Sequence, residues 1–133
     1  MNINYLAVLV SAVVIFMLGG LWYSPVLFAT KWVALQGRST DEMSGKANLG
    51  MYVQVFICGF LTSLVMAPII SHLPHIGLVH GIGFGAAMWL GFAGATSYGT
   101  GLFSLKPKAL WAIDSGFNLV SFIIAAVILS TWR

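Results

Sequence analysis

Four apolar stretches, each nearly free of charge and each about as long as a membrane-crossing helix, constrain this chain more than anything else in it. An α-helix rises 1.5 Å per residue, so roughly 20 apolar residues cover about 30 Å of hydrocarbon. The stretches fall at 3–23, 49–71, 78–103 and 109–131. Composition supports the reading: 59% of the 133 residues are hydrophobic and only 7% are charged, against about 25% charged in an ordinary soluble domain. The expected fold is therefore all-α. It is a polytopic membrane protein with four transmembrane helices in one unit spanning 1–133, and the lipid bilayer is its main partner.

The connections carry further signals. Residues 26–36 begin V-L-F-A-T-K-W-V-A-L, which is apolar but too short to span, so a helix lying along the headgroups is expected there. Ser39-Thr40-Asp41-Glu42 has capping-box spacing and predicts a new helix start. Pro68 should kink the second span, and Pro107 is placed to start the fourth. The first stretch lacks a basic flank and ends in L-W-Y-S-P, so it reads as a retained span and not as a signal peptide. Lys31, Arg38, Lys46, Lys106 and Lys108 lie in the first and third connections, which share one side of a four-span protein, while Arg133 falls on the other. The positive-inside rule then predicts a multi-pass protein with its basic connections in the cytoplasm and both termini outside it.

Lipid gives helices no hydrophobic reason to associate, so close approach depends on small residues. The third span has a row spaced by four: Gly83, Ala87, Gly91, Ala95 and Gly99. The second has Gly59, Ser63, Ala67 and Ser71. Either row can pack helices within the chain or form the contact of a homo-oligomer.

Asp114 is the one acid inside a stretch. A charged group at that depth costs about 2.5–3.5 kcal/mol even on the lenient insertion scale, which makes it a functional candidate. Asp114, Asn118, Ser121 and Ala125 share a helix face, whereas Ile113, Val120 and Ile124 turn away from it. Trp22 and Tyr23 end the first span, Gln54 opens the second and Tyr98 lies late in the third, all near the depth of Asp114. One reading makes this a vestibule where Asp114 binds a cation or exchanges a proton. The other makes it a buried network in which Tyr, Trp or Gln hydrogen-bonds the carboxylate, aided by the helix N-terminus.

His72, His75 and His80 have the spacing H-x2-H-x4-H, but no acid or thiol joins them and Pro74 interrupts them, so they are weak metal candidates. Four of the five tryptophans lie near span ends, as an aromatic belt requires. The glycines near Gly81 lack the strand-to-helix setting of a nucleotide site. Hydrolase and protease motifs are missing, so no enzyme and no cofactor is expected. The net charge of +3 is confined to short connections and does not suggest nucleic acid. Cys58 stands alone and can form no internal disulfide.

The segment Leu18-Gly19-Gly20-Leu21-Trp22-Tyr23-Ser24-Pro25, with Leu27-Phe28 and Lys31-Trp32 after it, resembles a bacterial membrane family catalogued as domain of unknown function 1761. The fourth span is similar too, in Ile113-Asp114-Ser115-Gly116-Phe117-Asn118 and the closing Trp132-Arg133. The resemblance implies four membrane helices and singles out Trp22, Tyr23, Ser24, Pro25, Asp114 and Gly116, without implying an activity. On the residues themselves, the expected function is a small oligomeric transporter or channel with a buried acid on the fourth span. The alternative is an accessory or assembly subunit of a larger membrane complex.

Overall fold

The computed structural model describes residues 3–36, 49–75 and 77–132, and every regular element among them is helical. Helix α1 is Tyr5–Trp22, α2 is the short Ala29–Leu35, and α3 is Leu49–Ser71. Helix α4, Gly77–Trp89, passes through a π-helical turn at Leu90–Gly94 into α5, Ala95–Phe103, and α6 is Lys108–Thr131. Among the described residues, four stretches are long and apolar enough to cross a membrane: Tyr5–Trp22, Leu49–Ser71, Gly77–Phe103 and Lys108–Thr131. The expected helix start at Ser39–Glu42 lies outside the described residues.

Local chemistry sets the element ends. Asn4 caps α1 by accepting the Ala7 N–H, and its amide donates to the Trp132 carbonyl at 3.2 Å. That bond ties the start of the first span to the end of the last, as an even number of crossings requires. After α1 the chain reverses at Ser24-Pro25, where the Ser24 carbonyl accepts the N–H groups of both Leu27 and Ala29. Those two bonds use up the segment 24–28, so α2 starts later than the sequence suggested. Helix α3 continues through Pro68 to Ser71. Pro107 is the residue before α6 and not its first turn, with φ −56° and ψ 136°.

Helix α6 is the central element, in contact with α1 to α5 and with the π turn. The apolar core gathers on it from Ala7, Val8 and Ile15 of α1 and Met66, Ala67 and Ile70 of α3, which meet Ala125, Ala126 and Leu129. Several of these side chains are small, which is what permits close packing without a hydrophobic drive. Gly59 faces Ile15 of α1, and Ser63 and Ala67 are buried above it, so the α3 row is an internal packing face.

The longer row behaves differently. Gly83, Ala87, Gly91 and Ala95 are exposed, Gly99 is half-buried, and none of the described residues stands within 4 Å of a Cβ built on Gly83, Gly91 or Gly99. The close crossing of α4 and α6 is made by Gly81 and Gly85 instead. A Cβ on Gly85 would come 2.7 Å from the backbone of Phe122 and Ile123, and one on Gly81 would meet Ser130. Spacing by four pointed to the row from Gly83; contact with α6 falls instead on Gly81 and Gly85, which the sequence reading did not single out as a packing pair.

Candidate functional site

At the end of the bundle that carries Lys106 and Lys108, α6 presents three successive residues, each tied to a different part of the chain. The Ile113 carbonyl accepts the Trp22 indole N–H at 2.9 Å, and the Ser115 carbonyl accepts the Trp89 indole at 2.9 Å. Between them, Asp114 Oδ1 accepts the Tyr23 hydroxyl at 2.7 Å and the Trp32 indole at 2.9 Å. Its Oδ2 takes the Lys106 ammonium at 3.1 Å. The first oxygen is therefore held by neutral donors and the second by a cation.

Each donor is delivered by a local feature. Trp22 and Tyr23 end α1, and the turn at Ser24-Pro25 folds α2 back so that Trp32 reaches the same oxygen. Trp22 lies against Gly116, where an added Cβ would be 3.2 Å from its ring. The Trp89 ring crosses Gly94, where a Cβ would come within 2.7 Å. The π turn provides that geometry, because its bond from the Ala95 N–H to the Leu90 carbonyl widens the helix by one residue. Lys106 sits in a tight C-terminal turn of α5. Its N–H bonds the Gly101 carbonyl and that of Leu105 bonds Leu102, the two bonds of a Schellman motif. Glycine usually fills the left-handed position of that motif, but here Leu105 holds it with φ 58°.

The ion pair is only half-buried, with each side chain 32% exposed. It faces an open cavity of about 490 Å³ lined by Trp32, Leu35, Gln36, Leu105, Lys106 and Asp114, among others. Tyr23, one residue past the end of α1, has its hydroxyl pKa raised, first by burial and then by the bond to Asp114 and its charge. It stays a donor.

Of the residues expected together, Trp22, Tyr23 and Asp114 meet. Tyr98 packs edge-on against Trp111 at 5.0 Å and belongs to a neighbouring cluster, in which Trp111 donates to Ser97. Gln54 is exposed on α3 and lines neither the Asp114 cavity nor the one beside Asn118. Asn118 and Ser121 line that second cavity, which lies among α1, α3 and α6. Ile113 does not turn outward but is buried, because α6 is surrounded on several sides. Asp114 stands beyond the first turn of α6, where the helix-terminal field has faded.

Trp22, Trp32, Trp89 and Trp111 all donate inward; of the four placed at span ends, only Trp132 is exposed. Trp22, Trp32 and Trp111 lie near span ends as the belt reading expects, but each indole N–H goes to a protein acceptor and not to the headgroups. His72, His75 and His80 are exposed, and His72 Nδ1 lies 2.7 Å from the Pro68 carbonyl. Among the described residues no group of His, Cys, Asp or Glu converges as a metal site. The sequence reading missed Lys106, and the signal was available: it lies eight residues before Asp114, close enough to fold back across Pro107.

Four apolar helices around an internally tied acid define the chain as a multi-pass helical membrane protein. Residues 6–130 match the family described as "Protein of unknown function (DUF1761)", and the chain belongs to it. No curated protein and no solved structure matches the chain. The two segments that carry the resemblance, L-W-Y-S-P and the Asp-Ser-Gly of the last span, are the two halves of the Asp114 site.

Proposed function

We propose that this protein is a small oligomeric transporter in which Asp114 is the cation-binding or coupling group and Lys106 is its tethered competitor. One observation carries the reading: Asp114 is fixed through Oδ1 by Tyr23 and Trp32, while among the described residues Oδ2 is closed by an ammonium that itself borders an open cavity. A cation entering that cavity can replace Lys106 without disturbing the neutral donors. The displaced Lys106 remains close by on its turn. The role is binding and release, with no catalytic step.

The reading has a direct test. In liposomes, Asp114→Asn should abolish cation-coupled flux while the purified protein keeps the assembly of the unaltered chain. Lys106→Gln should increase cation binding, because the internal competitor is gone. Equal flux in the native protein and Asp114→Asn would overturn the proposal.

The basic end is assigned to the cytoplasm of a bacterial inner membrane and both termini to the outside, a placement supported by the bias of the connections. Reporter tags at each terminus test it. A second reading, a subunit of a larger membrane complex, draws on the exposed row Gly83, Ala87, Gly91 and Ala95, which none of the described helices covers. Purification in mild detergent decides between them: a stoichiometric foreign chain favours the subunit, and a pure homo-oligomer favours the transporter.

A further inference from the structure

Helices α3 and α6 leave a groove of about 110 Å³ between them, bordered by Ile15 and Phe16 of α1, that opens on the outer surface of the bundle. Val55 and Cys58 of α3 and Asn118 of α6 are exposed along it. Asn118 stands roughly 15 Å along a helix of about 36 Å, which puts its amide near the middle of the span. It makes no hydrogen bond with any described residue. Ser121, three residues further on, lines the same groove and is only 5% exposed, and its hydroxyl has no partner among the described residues. Other polar side chains of the outer surface are provided for. Thr62, Thr96 and Thr100 donate to carbonyls one turn back, and Gln54 lies roughly 8 Å from the start of α3, near the headgroups. An amide that faces hydrocarbon at mid-span has neither provision.

We propose that a second copy of this chain docks on the α3–α6 face, its Asn118 amide paired with that of the first across a two-fold axis along the membrane normal. Lipid tails offer an amide nothing, whereas an identical amide offers it everything, since each carries an N–H to donate and a carbonyl oxygen to accept. Two reciprocal bonds then join the copies through one residue type, as a two-fold contact requires. The charge bias of the connections gives both copies the same orientation, so their Asn118 residues lie at one depth. Each amide keeps a second N–H, and the Ser121 hydroxyl of the other copy accepts it. Cys58 and Thr62, small residues on the facing wall, let a neighbouring helix approach. One such asparagine in an apolar seam fixes register and the number of chains. The row from Gly83 does not line this groove and stays available for other contacts. The inference deepens the oligomeric part of the reading above and needs no transport.

Light scattering of the full chain in mild detergent reads the pairing. The native protein should be dimeric, and Asn118→Leu should raise the dimer dissociation constant about fiftyfold, since four interhelical hydrogen bonds are lost. Ser121→Ala, which removes two of the four, should raise it about tenfold. Asn118→Gln keeps an amide and should recover part of the loss. Asn118 faces outward, so Asn118→Leu leaves the packed core alone, and helical content by circular dichroism checks that the variant is folded. The contact is located by oxidative cross-linking in liposomes, after the sole cysteine is removed as Cys58→Ser. In that background Asn118→Cys should give a disulfide-linked dimer with copper phenanthroline, because the covalent bond traps the pair even without the amide. Gly91→Cys, at mid-span in the row from Gly83, should not.

An unchanged mass in Asn118→Leu, a native protein that is monomeric at every concentration, or cross-linking at Gly91→Cys alone would each overturn the proposal: lipid then covers the groove, or the copies meet elsewhere. A foreign chain that accompanies the native protein and is lost in Asn118→Leu overturns the second copy as the occupant. Liposome flux keeps the two readings apart. An Asn118-dependent dimer without Asp114-dependent flux sinks the transport reading alone, and Asp114-dependent flux from a monomer sinks the dimer alone.

Discussion

Asp114 collects a tyrosine, a tryptophan and a lysine from three separate parts of the chain, and these donors do not contribute alike. The Lys106 pair is one-third exposed on both sides, so its Coulomb energy is heavily screened. A double-mutant cycle with Asp114→Asn and Lys106→Gln should give a coupling of about 1 kcal/mol or less, falling as salt is added. The neutral donors are more enclosed, and Tyr23→Phe should cost about 1–2 kcal/mol in a denaturation midpoint, because it removes a hydrogen bond to a charged group. That cost also carries a pH signature. The folded-state pKa of Tyr23 lies above its ordinary 10.0, so the unfolded chain loses the proton first. The advantage of Tyr23 over Phe is full below pH 10.0 and declines above it. Midpoints of the two proteins on either side of that value check the sign.

At the level of elements, glycine position decides what a helix can approach. Gly85→Ala pushes a methyl into the backbone of α6 and should destabilise by about 1–3 kcal/mol, as overpacking does. Gly83→Ala, two residues away and facing open space, should be neutral or slightly stabilising because alanine favours the helix. Mild-detergent unfolding of the two variants separates the buried row from the exposed one. The turn that carries Lys106 offers the reverse case. A left-handed leucine costs about 1–2 kcal/mol, so Leu105→Gly should raise stability by part of that amount. Its effect on cation binding reports whether the position of Lys106 depends on the strain.

Viewed whole, the molecule has an aliphatic core, several of its side chains small, at the end where its termini meet and an indole-rich, polar cluster at the basic end. Its outer surface is apolar, and on the third span that surface includes the open row of small residues. If this row is an oligomer contact, Gly91→Leu should leave the monomer folded and shift the assembled protein to monomer in light scattering. An unchanged mass would remove the row from consideration.

The sequence by itself determined the class of fold. Four nearly charge-free stretches of the right length admit helices crossing a bilayer, since lipid leaves a backbone no other partner than itself. It also marked Asp114 as costly, and Trp22 and Tyr23 as lying near its depth, because rise per residue converts sequence position into depth. It did not tell which small-residue face would be buried. The pairs Gly81–Gly85 and Gly83–Ala87 have the same period, and only the placement of α6 separates them. Nor did it reveal that the tryptophans turn inward, since an indole at a span end suits a headgroup as well as a carbonyl. Lys106 fell in the same gap: its distance along the chain permitted the ion pair, but only the turn at Leu105 brought the charge to the acid. Local periodicity set the helices; the choice of partners needed three dimensions.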